Sequence, residues 1–173
     1  SADFVACHQF QFMNKVDILR IAKDGATFLL NAPYKADEVW NHLPIEVQEE
    51  ILAKHLKLYT INAVEVARAT GMGQRINTVM QTCFFAISNI LPKDEAIAQI
   101  KAAIKKTYSK KGDAIVQKNY AAVDASLEHL FEVSYPDHVT STFHRQAPVP
   151  ADAPKFVQGL TATLIADNGD SIK

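Results

Sequence analysis

Asp3-Phe4-Val5-Ala6-Cys7 and Thr27-Phe28-Leu29-Leu30 decide the fold. Each is a short apolar run bounded by polar residues, and runs of this kind read as strands buried on both faces. Between them, residues 16–23 read as a helix stopped by Asp24-Gly25, while Asn31 and Pro33 close the second run. Strand, helix and strand make a crossover unit, the local signature of a parallel sheet covered on both sides.

Further along, Asp37 and Glu38 open one helical turn, and Pro44 opens a helix whose Val47, Ile51 and Leu52 share a face. Leu58-Tyr59-Thr60-Ile61 reads as a third strand. From Val64 the pattern is helical: a short helix ending at Gly71, a long one over residues 76–91, and a third started by Pro92. In that third helix Asp94 and Glu95 lie at the positive end and Lys105 and Lys106 at the negative end, as the macrodipole favours. After Gly112, Val116, Tyr120, Val123, Leu127 and Leu130 recur at helical spacing. The expected class is α/β: a three-layer α/β/α arrangement with a short, mostly parallel sheet and a helical C-terminal half.

Residues 137–173 read differently. Pro148, Pro150 and Pro154, with interspersed Ala and Asp, have the composition of a connector, and only Phe156, Leu160 and Leu164 hint at a last helix. A tail that stops at Ser171-Ile172-Lys173 reads as a cut through a longer polypeptide. There is no internal repeat.

The 173 residues fit one domain plus a short extension, and a 48% hydrophobic content is enough to close a core. Eighteen Lys and Arg against 19 Asp and Glu give no field of one sign, so nucleic acid and membrane are poor partner choices. No apolar run approaches the roughly 20 residues of a membrane helix. Cys7 and Cys83 stand apart in apolar surroundings, which suits reduced intracellular thiols.

The richest chemistry lies in Gly71-Met72-Gly73-Gln74-Arg75-Ile76-Asn77-Thr78-Val79-Met80-Gln81-Thr82-Cys83-Phe84-Phe85. Two glycines before a helix allow close backbone approach to an anion, or simply cap one helix and relieve a turn before the next. A dinucleotide fingerprint is excluded, because Ile76 occupies the third glycine's place and the pair follows a helix instead of the first strand. No residue over 76–91 is charged. Asn77, Gln81 and Ser88 therefore mark an uncharged polar stripe, suited to a covering domain, to a cleft, or to the domain's own interior. Arg75 is the single strong cation beside the turn, able to grip a phosphate or carboxylate through paired hydrogen bonds, or to pair on the surface. His8, after the first strand, sits where ligands gather in open parallel sheets, although a lone histidine more often satisfies a backbone group. His42, His55, His129, His138 and His144 show no metal-like spacing. Lys105, Lys106, Lys110 and Lys111 can attract an acidic electron carrier but are most simply solvated.

Ala2 to His8, Asp24-Gly25-Ala26-Thr27-Phe28-Leu29-Leu30-Asn31, Gly71 to Phe85, and then Lys110-Lys111-Gly112, Asn119 and Ala122-Val123-Asp124 closely resemble, in order and spacing, the third domain of pyruvate:ferredoxin (flavodoxin) oxidoreductases. The resemblance covers roughly residues 2–136 and implies two regions. Residues 1–136 would be the latter part of that α/β domain, and 137–173 a linker toward the iron–sulfur domain. It also implies a parent enzyme, large, usually dimeric and cytoplasmic, that oxidatively decarboxylates pyruvate to acetyl-coenzyme A. The parent works on thiamine diphosphate with magnesium and sends electrons through [4Fe-4S] clusters to ferredoxin or flavodoxin. The chain lacks the Gly-Asp-Gly segment of thiamine enzymes, and two isolated cysteines cannot supply four cluster ligands, so the fragment is expected to bind none of these cofactors and to be inactive alone. In the family this domain packs near the cleft where coenzyme A enters, which makes Arg75, Asn77 and Gln81, with Gly71 and Gly73, the coenzyme-cleft candidates and His8 a weaker one. A purely structural scaffold domain and a freestanding doubly wound small-molecule-binding protein are the competing readings.

Overall fold

The computed structural model describes residues 1–88 and 90–146, and the backbone of 162–165. Two compact units divide the chain: Ser1–Thr60 with Phe131–Lys173, and Ile61–Leu130.

The first unit is built on a sheet of five strands: β1 (Ala2–Cys7), β2 (Ala22–Asn31), β3 (Lys57–Ile61), β4 (Phe131–Glu132) and β5 (Ala162–Ile165). Their order is β4-β3-β2-β1-β5. β1 and β2 run parallel, with Val5 opposite Phe28 and Cys7 opposite Leu30, while β5 joins β1 and β4 joins β3 antiparallel. Val5, Cys7, Phe28 and Leu30 share the main core with Leu43, Val47, Ile51 and Leu58. Phe4, Ala6 and Leu29, on the opposite face, are buried as well. Burial on both faces is why these strands carry no polar alternation.

The α/β class and the parallel central pair are as expected, but the crossover between them is not. Residues 16–23 form no α-helix: Ile18–Ile21 is a single 3-10 turn, and β2 already begins at Ala22. Asp17 makes no side-chain cap, and Ala22 is drawn into the sheet opposite Ala2. Gly25 does not stop a helix; with φ of 76° it lies in a bulge, where the pairing jumps from Ala2–Ala22 to Phe4–Thr27. Asp37 and Glu38 precede a 3-10 turn at Val39–His42.

Helix α1 (Ile45–Lys54) follows Pro44 as expected and ends on His55 in the left-handed region, with the Leu56 amide donating to the Ile51 carbonyl at 3.1 Å. Pro148, Pro150, Pro154, Phe156 and Leu160 lie outside the described residues. Leu164 is part of β5, not of a last helix.

The second unit is helical: α2 (Ala63–Ala69), α3 (Asn77–Ile87), α4 (Lys93–Tyr108) and α5 (Asp113–His129). Asn62 caps α2 by accepting from the Glu65 amide at 3.2 Å. Ile104, Val116 and Val123 form one α4–α5 core, and Val79, Met80, Cys83 and Phe84 are the buried side of α3.

Candidate functional site

Between α2 and α3 the backbone must reverse, and it does so on Gly71 (φ 81°) and Gly73 (φ 64°). The Met72 amide donates to the Ala67 carbonyl at 2.8 Å across Gly71, the capping geometry that needs a left-handed residue. The turn then passes Arg75, whose amide donates to the Met72 carbonyl at 3.2 Å and whose Nε donates to the same carbonyl at 3.3 Å. This bond fixes the root of the guanidinium while leaving its Nη atoms without a partner among the described residues.

Helix α3 opens on Ile76 without a side-chain cap. Asn77 and Gln81 follow at i and i+4 on one exposed side of the helix. Thr78 is tied down, its hydroxyl donating to Oδ1 of the buried Asn119 on α5 at 3.2 Å, and Asn119 in turn donates to the Ile115 carbonyl at 2.9 Å. Beside this side runs a groove of about 350 Å³, lined from α3 by Thr78, Gln81 and Phe85 and from α4 by Gln99, Ile100 and Thr107, among others. None of its lining residues is charged. A volume of this size lies at the lower end of small-molecule sites, and an apolar floor with a few amides and hydroxyls holds a neutral group by shape and hydrogen bonding.

Thus Gly71, Gly73, Arg75, Asn77 and Gln81 all occupy one turn and the first turns of one helix, and Gln81 also lines the groove. Reading the sequence did not single out the α4 wall, because Gln99, Ile100 and Thr107 look like ordinary residues of an amphipathic helix. Only the absence of charge opposite them, on α3, hinted at it.

His8 belongs to the other unit. It is half-buried at the end of β1; its carbonyl accepts from Asn31 Nδ2 at 2.9 Å, and burial lowers the imidazole's pKa, favouring the neutral ring. Nearby, Tyr34 stacks on His42 with centroids 3.6 Å apart and meets Phe10 edge-on.

An iron–sulfur centre needs clustered thiolates. Cys7 and Cys83 sit in different units, both fully buried, and burial pushes each thiol up to about 12. Cys7 also donates to the Gln9 carbonyl at 3.1 Å. These two residues do not fit such a cluster. Among the described residues no group of three or more His, Cys, Asp or Glu could hold a metal ion, and no helix is long and apolar enough to cross a membrane.

Comparison with known proteins gives a consistent set. The sequence model of the family described as "Pyruvate ferredoxin/flavodoxin oxidoreductase" matches residues 1–129. A pyruvate-flavodoxin oxidoreductase of Rhodospirillum rubrum is 52% identical over 99% of this chain, which spans 14% of that protein's length. A pyruvate:ferredoxin oxidoreductase of Moorella thermoacetica is 42% identical over 99% of the chain, with 15% of its length covered. Among solved structures, the pyruvate oxidoreductase subunit PORC of Thermotoga maritima superposes with a TM-score of 0.58 at 15% identity, over 76% of this chain and 65% of that one, a likeness of fold.

Proposed function

Because this chain belongs to the pyruvate ferredoxin/flavodoxin oxidoreductase family, we propose that it serves as one piece of a multidomain enzyme. That enzyme oxidatively decarboxylates pyruvate to acetyl-coenzyme A and delivers the electrons to ferredoxin or flavodoxin. Thiamine diphosphate with magnesium and [4Fe-4S] clusters are held by other parts of that cytoplasmic, dimeric enzyme. The share of this piece is to pack against the catalytic domains and to present the turn at Gly71 to Arg75 and the start of α3 to the coenzyme A cleft. The observation that carries this reading is an exposed helix side without a single charge, set directly beside an arginine whose Nη atoms are uncommitted. Arg75 would hold a phosphate, and Asn77 and Gln81 would bond neutral parts of the same ligand.

Arg75→Ala in the intact enzyme tests it. Losing a charge-assisted pair, about 1.5–3 kcal/mol, should raise the apparent Kd for coenzyme A by about ten- to a hundredfold. Unchanged affinity together with unchanged pyruvate turnover would remove Arg75 from the site. The structural-scaffold reading draws on the apolar part of the groove, Phe85 and Ile100, which an apolar segment of a neighbouring domain would fill. It is favoured if Phe85→Ala weakens assembly of the enzyme while Arg75→Ala leaves coenzyme A binding intact.

A further inference from the structure

In the first unit, α1 starts without a cap of its own, since Pro44 offers no side-chain acceptor. The missing partner arrives from the far end of the chain. The Ile45 amide donates to the Phe143 carbonyl at 2.9 Å, and the first turn of α1 returns bonds to the same segment. Glu46 accepts from the Arg145 amide at 2.6 Å with Oε1 and meets His144 Nδ1 at 2.7 Å with Oε2. Gln48, fully buried, accepts from the Thr140 and Ser141 amides at 2.9 and 3.0 Å, while its Nε2 donates to the Trp40 carbonyl at 2.6 Å. Thr140 Oγ1 to Asn41 Oδ1 at 2.6 Å, and the Gln146 amide to the Asn14 carbonyl at 2.8 Å, complete the set.

No residue over 137–146 is buried, so apolar area contributes little to holding this segment. Hydrogen bonds and a loose Arg145–Asp17 ion pair at 3.8 Å hold it, and the net gain from one such bond is of the same order as the cost of ordering one residue. A segment held by so near a balance comes off before the core does. Because the helix gives acceptors to the strap and the strap gives one to the helix, losing either catch weakens the others.

We propose that residues 137–146 form a strap that caps α1 reciprocally and detaches as one unit, with Glu46 and Gln48 as its two catches. Detachment frees the Ile45 amide and the side-chain Oε1 of Gln48 together and bares the first turn of α1, whereas the sheet stays intact.

Amide hydrogen exchange of the 173-residue chain, read residue by residue, tests this with Glu46→Ala. Protection of Ile45, Thr140, Ser141 and Arg145 should fall together by about tenfold or more, the worth of a charge-assisted bond, while Val5 and Phe28 keep theirs. Thr140→Val, a change at an exposed position, should move the same four amides in the same direction by a smaller factor. A loss confined to the Arg145 amide would overturn the strap as a unit. So would a loss shared equally with Val5 and Phe28, because the segment would then open only with the core.

Discussion

Glu46 shows how one carboxylate can carry pH dependence into a segment far along the chain. The Arg145 amide, and after it His144, hold its pKa down from 4.5 to about 2. Around them stand Asp17, 3.8 Å from the Arg145 guanidinium, and the Glu50–Lys54 pair one turn further along α1. Burial and Asp17 raise the pKa of Glu50, which therefore takes up its proton before Glu46 does on acidification. The sign follows from the depressed value: the Glu46 contribution is complete above about 4.5 and is lost as the pH falls through about 2. Wild-type chain should therefore shed, over that interval, an increment of stability that Glu46→Gln lacks. Parallel acid-unfolding curves for the two would refute it. Nothing in the sequence near Glu46 announces this role, since its partners lie 98 and 99 residues away.

Among the elements, the turn between α2 and α3 was the most legible and is also the easiest to break. Gly71 and Gly73 both have positive φ, so each side chain added there is strained. At Gly73 a Cβ meets nothing within 4 Å, and Ala should cost about 1 kcal/mol from backbone conformation alone. At Gly71 the Cβ lies 3.3 Å from Cδ of Lys118, a flexible chain that can yield, so Gly71→Ala should cost about 1 kcal/mol or slightly more, and Gly71→Asn less. Urea unfolding reads both; a neutral Gly71→Ala would contradict the left-handed cap. Helices α1, α3, α4 and α5 followed from periodicity and flanking Pro or Gly. The helix expected over residues 16–23 did not form, because eight residues without a capping side chain could not outweigh sheet pairing at Ala22.

At the scale of the whole molecule, no group of three or more His, Cys, Asp or Glu among the described residues could hold a metal ion. Its two thiols are buried and protonated, one in each unit. Reconstituting the purified chain with iron and sulfide should leave it without cluster absorbance and without pyruvate turnover. A stable chromophore bound through Cys7 or Cys83 would contradict that burial. The apolar runs at residues 3–7 and 27–30 were enough to announce buried parallel strands, and the uncharged stretch over 76–91 announced a helix with an unusual exposed side, although that helix stops at Ile87, short of the expected end at Leu91. Both signals are local, written in the hydrophobicity of consecutive residues. The α4 wall of the groove, the bulge at Gly25, and the strap on α1 depend on residues brought together from distant parts of the chain. Their hydrogen bonds and shapes come into being only when the backbone has closed, and no local pattern records them.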